Sequence, residues 1–126
     1  MLCGTPYFLE DDSIEDTILF LEDIGEAPYK LDRILQQWRL SGLLSRIKGL
    51  MLGTFTDCEG DEDEADYDIG YEVLRYMEEN RKRHLPDPFV CYVPTGHGTP
   101  HQTLPLGGHV HFRYISNTIV LSPYTK

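Results

Sequence analysis

No stretch of the sequence comes near the roughly 20 consecutive apolar residues that a membrane-spanning helix needs, so nothing in it reads as a bilayer span. The opening residues, MLCGTPYFLEDD, have neither the basic start nor the apolar run of a secretory signal. Cysteine is scarce: Cys3, Cys58 and Cys91 are odd in number, widely spaced and without a CxxC pair. That excludes a zinc ribbon and a disulfide framework, and predicts a reducing, cytoplasmic setting. Basic clusters are missing too, apart from Arg81-Lys82-Arg83-His84 at an expected helix end. Without a basic patch, nucleic acid is not expected as a partner, and no membrane is expected either. A nucleophile elbow of the G-x-S-x-G kind is also absent. Ser41 and Ser45 flank a helix end, Ser116 falls in a turn, and neither Ser13 nor Ser122 has such a setting. Cys91 falls inside a predicted buried strand, where a thiol is normally inert packing. The chain shows no convincing nucleophile.

What is present suits one α/β domain. The 126 residues are 40% apolar and 11% aromatic, enough to bury a core. Ile18-Leu19-Phe20-Leu21 is a short apolar run ending in Glu22-Asp23, the pattern of a buried strand. Pro28 then stands where a first helical residue belongs. Leu31, Ile34, Leu35 and Trp38 follow at helical spacing, and Gly42 closes the helix. Residues 47–55 read as a second buried strand, so strand, helix and strand predict parallel pairing. Ile69, Val73, Tyr76 and Met77 mark a second amphipathic helix with acids before it and bases after it. Residues 89–93 predict a third buried strand. Val110, Phe112 and Tyr114 alternate with His111 and Arg113, then Ser116-Asn117 turns into Thr118-Ile119-Val120-Leu121, predicting a terminal β-hairpin. The result is an α/β fold with a mainly parallel core and an antiparallel tail.

The net charge of −10 is unevenly placed, because Glu59, Asp61, Glu62, Asp63, Glu64, Asp66 and Asp68 put seven of the 21 acids within ten residues. Packed like charges repel, which predicts a solvated segment without a structural metal. A calcium loop counted from Asp57 would place Glu62 where the invariant glycine must be, so the EF-hand pattern fails.

One stretch invites a chemical reading. PTGHGTPHQTLPLGG, from Pro94 to Gly108, holds two histidines, three prolines and four glycines in fifteen residues. It cannot be a helix, and it presents His97 between two glycines that permit close approach and unusual φ angles. Glu22 and His97 both follow predicted buried strands. Ligands of α/β sheets bind outside the carboxyl ends of parallel strands, which would put the two on one rim. A carboxylate that accepts from one imidazole nitrogen leaves the other free as a base. The plainer alternative is a surface-turn histidine and an ordinary strand-end carboxylate. A rival metal reading comes from His97, His101, His109 and His111, which fall within fifteen residues with Cys91 near, but their spacing matches no recognised zinc pattern. No cofactor is implied.

Three linked motifs, ILFLEDIGEAPYKLDRILQQWRLSGLL, GLMLGTFTDCE and PTGHGTPHQTLPLG, resemble in order the C-terminal half of the LD-carboxypeptidases. These are cytoplasmic serine peptidases of the muramoyltetrapeptide carboxypeptidase type, related to microcin-immunity peptidases. The resemblance implies that residues 1–126 form a swivelling β/β/α domain whose N-terminal, serine-bearing partner domain is absent from this chain. It implies a Ser-His-Glu triad with Glu22 as the orienting carboxylate and His97 as general base, then acid. Asp23 is the alternative to Glu22, but adjacent strand residues face opposite sides. The implied activity is hydrolysis of the amide before a terminal D-amino acid in murein peptides, as in peptidoglycan recycling. This chain alone would then be inactive. A microcin-immunity peptidase domain and a non-catalytic binding or regulatory module stand as alternatives, and a homodimer is left open. One departure falls at His101-Gln102, where the resemblance leads one to expect asparagine.

Overall fold

The computed structural model describes residues 5, 8, 12–60, 68–79, 88–115 and 118–123. Strands β1 (Ile18–Ile24), β2 (Gly49–Thr56) and β3 (Phe89–Val90) form a parallel sheet in the order β1-β2-β3. Helix α1 (Pro28–Leu40) connects the first pair and α2 (Ile69–Glu79) lies between the second and third strands. Strands β4 (Val110–Ile115) and β5 (Thr118–Pro123) form a separate antiparallel hairpin. Its predicted turn, Ser116-Asn117, and most of the acidic run lie outside the described residues, as do the basic residues expected after α2.

The central strand is the most buried because helices and neighbouring strands surround it. Leu50 and Leu52 are 0% and 1% exposed. Burial of each such side chain stabilises by about 1.5–3 kcal/mol, which is why β2 reads as an unbroken apolar run. Leu35 of α1, Ile47, and Val73 and Tyr76 of α2 join them in one cluster. Helix α1 starts at Pro28, whose missing N–H no helical carbonyl requires. It ends where Gly42 takes φ +79° and donates its N–H to the Arg39 carbonyl at 3.1 Å. The two helices are locked through Tyr76, 1% exposed. Its hydroxyl donates to the Asp32 carboxylate and accepts from Gln36 Nε2 at 2.9 Å. The guanidinium groups of Arg75 and Arg39 lie 4.5 and 5.7 Å from its ring centre. Burial, and then the Asp32 carboxylate, push the Tyr76 phenol pKa up.

Two predicted strand boundaries need correction. β1 runs on through Glu22 and Asp23 to Ile24, so Glu22 sits inside the strand and not past its end. The third strand is two residues long, not five. Tyr92 has φ +59°, a conformation that takes the chain out of the ladder. Contact with β2 resumes when Val93 N donates to the Leu52 carbonyl and Thr54 N to the Thr95 carbonyl, both at 2.9 Å.

Candidate active site

Parallel strands share their carboxyl ends, so residues late in β1 and β2 and the loop after β3 converge on one rim. The β1–β2 ladder is irregular there. Leu21 pairs with Leu52 and Asp23 with Phe55, so Gly53 and Thr54 together face the single residue Glu22. A bulge of this kind re-aims side chains beside it. Gly53 is required by space: an added Cβ would lie 2.4 Å from the Thr95 carbonyl oxygen and 2.7 Å from the Phe20 ring.

The loop that carries His97 is closed on itself. Gln102 N donates to the Pro94 carbonyl at 2.7 Å, and the buried Thr95 hydroxyl donates to the Gln102 carbonyl at 2.8 Å. Within it, His101 Nδ1 donates to the Gly96 carbonyl at 2.8 Å. Gly96 has φ +123°, and a Cβ there would meet Thr54 Oγ1 at 2.6 Å and Glu22 Oε2 at 2.9 Å. The backbone therefore passes against the Glu22 side chain just before it presents His97. The outcome is a direct contact, with His97 Nδ1 2.7 Å from Glu22 Oε2.

An ionised carboxylate only accepts, so Nδ1 carries the proton and Nε2 of the neutral ring keeps its lone pair. The His97 side chain is 51% exposed and that of Glu22 28%, which leaves the pair open to an arriving group. Asp23, the alternative carboxylate, instead accepts from the backbone N–H of Ile24 at 2.7 Å. The other histidines are not gathered into a ligand set. Among the described residues no group of three or more His, Cys, Asp or Glu side chains is placed to hold a metal ion.

A cleft of about 460 Å³ adjoins the loop, and its lining includes Thr54, Thr99, Pro100, Cys91, Tyr92 and Asp68. The Tyr92 hydroxyl donates to Asp68 Oδ2 at 2.5 Å, while Asp68 Oδ1 accepts from Tyr71 N at 2.7 Å as the cap of α2. The Tyr92 bond, opposed by burial and helped by the Tyr71 and Gly70 amides, holds the Asp68 carboxyl below the usual carboxylate range. Burial pushes the thiol of Cys91 up, and that of Cys58 likewise, so both are held protonated and are poor nucleophiles. Ser41 and Ser45 donate to the carbonyls of Trp38 and Gly42 where α1 ends. Sequence reasoning missed Thr54, Thr95 and the Tyr92–Asp68 contact. Only the Gly53-Thr54 break in an apolar run hinted at the first.

The chain as a whole has counterparts among known proteins. A family model described as the LD-carboxypeptidase C-terminal domain matches residues 1–112, and the chain belongs to that family. A putative carboxypeptidase of Synechocystis sp. is 40% identical over 93 residues, covering 74% of this chain and 29% of that protein. The murein tetrapeptide carboxypeptidase of Pseudomonas aeruginosa is 32% identical over 91 residues, covering 72% of this chain and 27% of that protein. The crystal structure of muramoyltetrapeptide carboxypeptidase from Oxalobacter formigenes matches with a TM-score of 0.65 at 33% identity, covering 85% of this chain and 36% of that one. The chain thus spans under a third of the length of these two curated relatives.

Proposed function

We propose that this domain supplies the histidine and glutamate of a Ser-His-Glu triad, and that a second, N-terminal domain supplies the serine. The assembled enzyme hydrolyses the amide before the terminal D-amino acid of a murein tetrapeptide, a cytoplasmic step of peptidoglycan recycling. One observation carries this reading: in a chain of this family, His97 Nδ1 meets Glu22 Oε2 at 2.7 Å while the ring stays half exposed. In such a site His97 Nε2 takes the proton of the serine hydroxyl as Oγ attacks the scissile carbonyl, and then gives it to the departing amine. Glu22 holds the tautomer and stabilises the imidazolium formed between the two transfers. The unpaired thiols of Cys58 and Cys91 suit a reducing compartment. Among the described residues no helix is long and apolar enough to cross a membrane.

The test is release of D-alanine from a murein tetrapeptide by the protein joined to its serine-bearing domain. Turnover of the D-terminated peptide, absent for its L-terminated diastereomer and lost in His97→Ala, is the expected result. Turnover untouched by His97→Ala would overturn the reading. Tight binding of the peptide without turnover would favour a non-catalytic module.

A further inference from the structure

Two hydrogen bonds to one hydroxyl bracket His97. Thr54 Oγ1 donates to the carbonyl of Thr95, two residues before the histidine, and accepts from the N–H of Gly98, one residue after it, each at 3.2 Å. A hydroxyl has one proton to give and lone pairs to accept with, so a single group satisfies both sides of the loop. The backbone of the same residue adds a third point, since Thr54 N also donates to the Thr95 carbonyl at 2.9 Å. Packing supplies the rest. An added Cβ at Gly98 would lie 2.8 Å from Thr54 Cγ2, and one at Gly96 would lie 2.6 Å from Thr54 Oγ1. Thr54 also belongs to the bulge opposite Glu22. One residue therefore touches the loop that carries the imidazole and sits across the ladder from the carboxylate.

We propose that Thr54 is a positioning residue: its hydroxyl sets the loop so that His97 Nδ1–H, and not Nε2–H, meets Glu22. The functional part of this role rests on His97 acting as the base; the geometric part does not. Bonds of 3.2 Å are at the long end of the normal range, so each contributes modestly. What the hydroxyl supplies is orientation, because a triad histidine displaced by even 1 Å loses catalytic power.

Thr54→Val removes the hydroxyl and keeps the branched shape, while Thr54→Ser keeps the hydroxyl and removes the methyl. The first readout is ring ¹⁵N NMR of His97 in this chain, which reports the nitrogen that holds the proton. The second is hydrogen exchange at the Gly98 amide. In Thr54→Val the Nδ1–H population should fall and Gly98 should exchange about two- to tenfold faster, as expected for one net hydrogen bond lost. Thr54→Ser should match the parent in both. Unchanged ring shifts in Thr54→Val would overturn the proposal, even if the melting temperature drops. So would a Thr54→Ser chain that behaves like the valine variant. Should Thr54→Val fail to fold, Thr54→Ala takes its place with the same outcomes. In the protein joined to its serine domain, Thr54→Val should lower kcat and leave KM unchanged, and an effect on KM alone would contradict the role. The NMR readouts need no turnover, so they decide the geometry even if the peptidase reading fails.

Discussion

Replacing Gly96 by alanine separates backbone strain from steric conflict at the site. At φ +123° a residue with a Cβ is strained by about 1–3 kcal/mol. The added methyl would also stand 2.6 Å from Thr54 Oγ1, 2.9 Å from Glu22 Oε2 and 3.1 Å from Glu22 Cβ. Forcing those atoms apart costs about 1–3 kcal/mol, as overpacking does. Restricting the unfolded chain returns about 0.4–1 kcal/mol. The expected net loss lies within about 1–5.5 kcal/mol and centres near about 3 kcal/mol. Gly25 is the internal control, with φ +73° and nothing within 4 Å of an added Cβ. Its strain of about 1–2 kcal/mol is partly offset in the same way, leaving about 1 kcal/mol. Urea melts of the two variants read the difference directly at constant slope. In thermal melts, each kcal/mol corresponds to about 4 °C for a domain of this size. Equal losses for Gly96→Ala and Gly25→Ala would refute the claim that the backbone passes hard against Glu22 and Thr54.

Two further outcomes concern the scaffold. Tyr76→Phe leaves the Asp32 carboxylate and the Gln36 amide without their shared hydroxyl and should cost about 1–3 kcal/mol in denaturant melts. The Tyr76 phenol binds its proton more tightly folded than unfolded, so its contribution is full below the unfolded tyrosine value of about 10 and is lost as pH rises through the folded one. Wild type should therefore lose melting temperature above about pH 10 more steeply than Tyr76→Phe. At the opposite end of the scale, Asp68 is held ionised by Tyr92, which is 73% exposed, so solvent screening limits the contact to about 0.5 kcal/mol. A lowered carboxyl stabilises above its unfolded value, about 3.9, and stops doing so as pH falls through the folded one. The gap between wild type and Tyr92→Phe should hold steady from about pH 5 to 8 and close below about 4.

Features set by local chemistry were legible in the sequence. Pro28 and Gly42 mark the two ends of α1 because φ preference and the missing N–H act on single residues. The apolar run of β2 announces burial on both faces. Glu22 and His97 could be singled out from their places relative to the strands, and the structure brings their side chains together. What stayed hidden depends on register. Nothing in residues 18–24 or 49–56 reveals that Gly53 and Thr54 share one partner, since a bulge is decided by both strands and the loop packed over them. The shortened third strand has a similar origin. Phe89 to Val93 has strong β character, yet the Asp68 contact accompanies a Tyr92 in the left-handed region. The third-strand residues and the histidine loop are placed against β2, a tertiary fact that no local pattern encodes.

The central claim is that Glu22 and His97 act as one catalytic unit. Its most direct test is a double-mutant cycle in kcat for D-alanine release, using Glu22→Gln, His97→Ala and the double variant in the protein joined to its serine-bearing domain. Members of such a unit are strongly non-additive, so removing the histidine should lower kcat by roughly 10⁶-fold and removing both should lower it little further. Independent, multiplying losses in the double variant, or turnover that survives His97→Ala, would contradict the account.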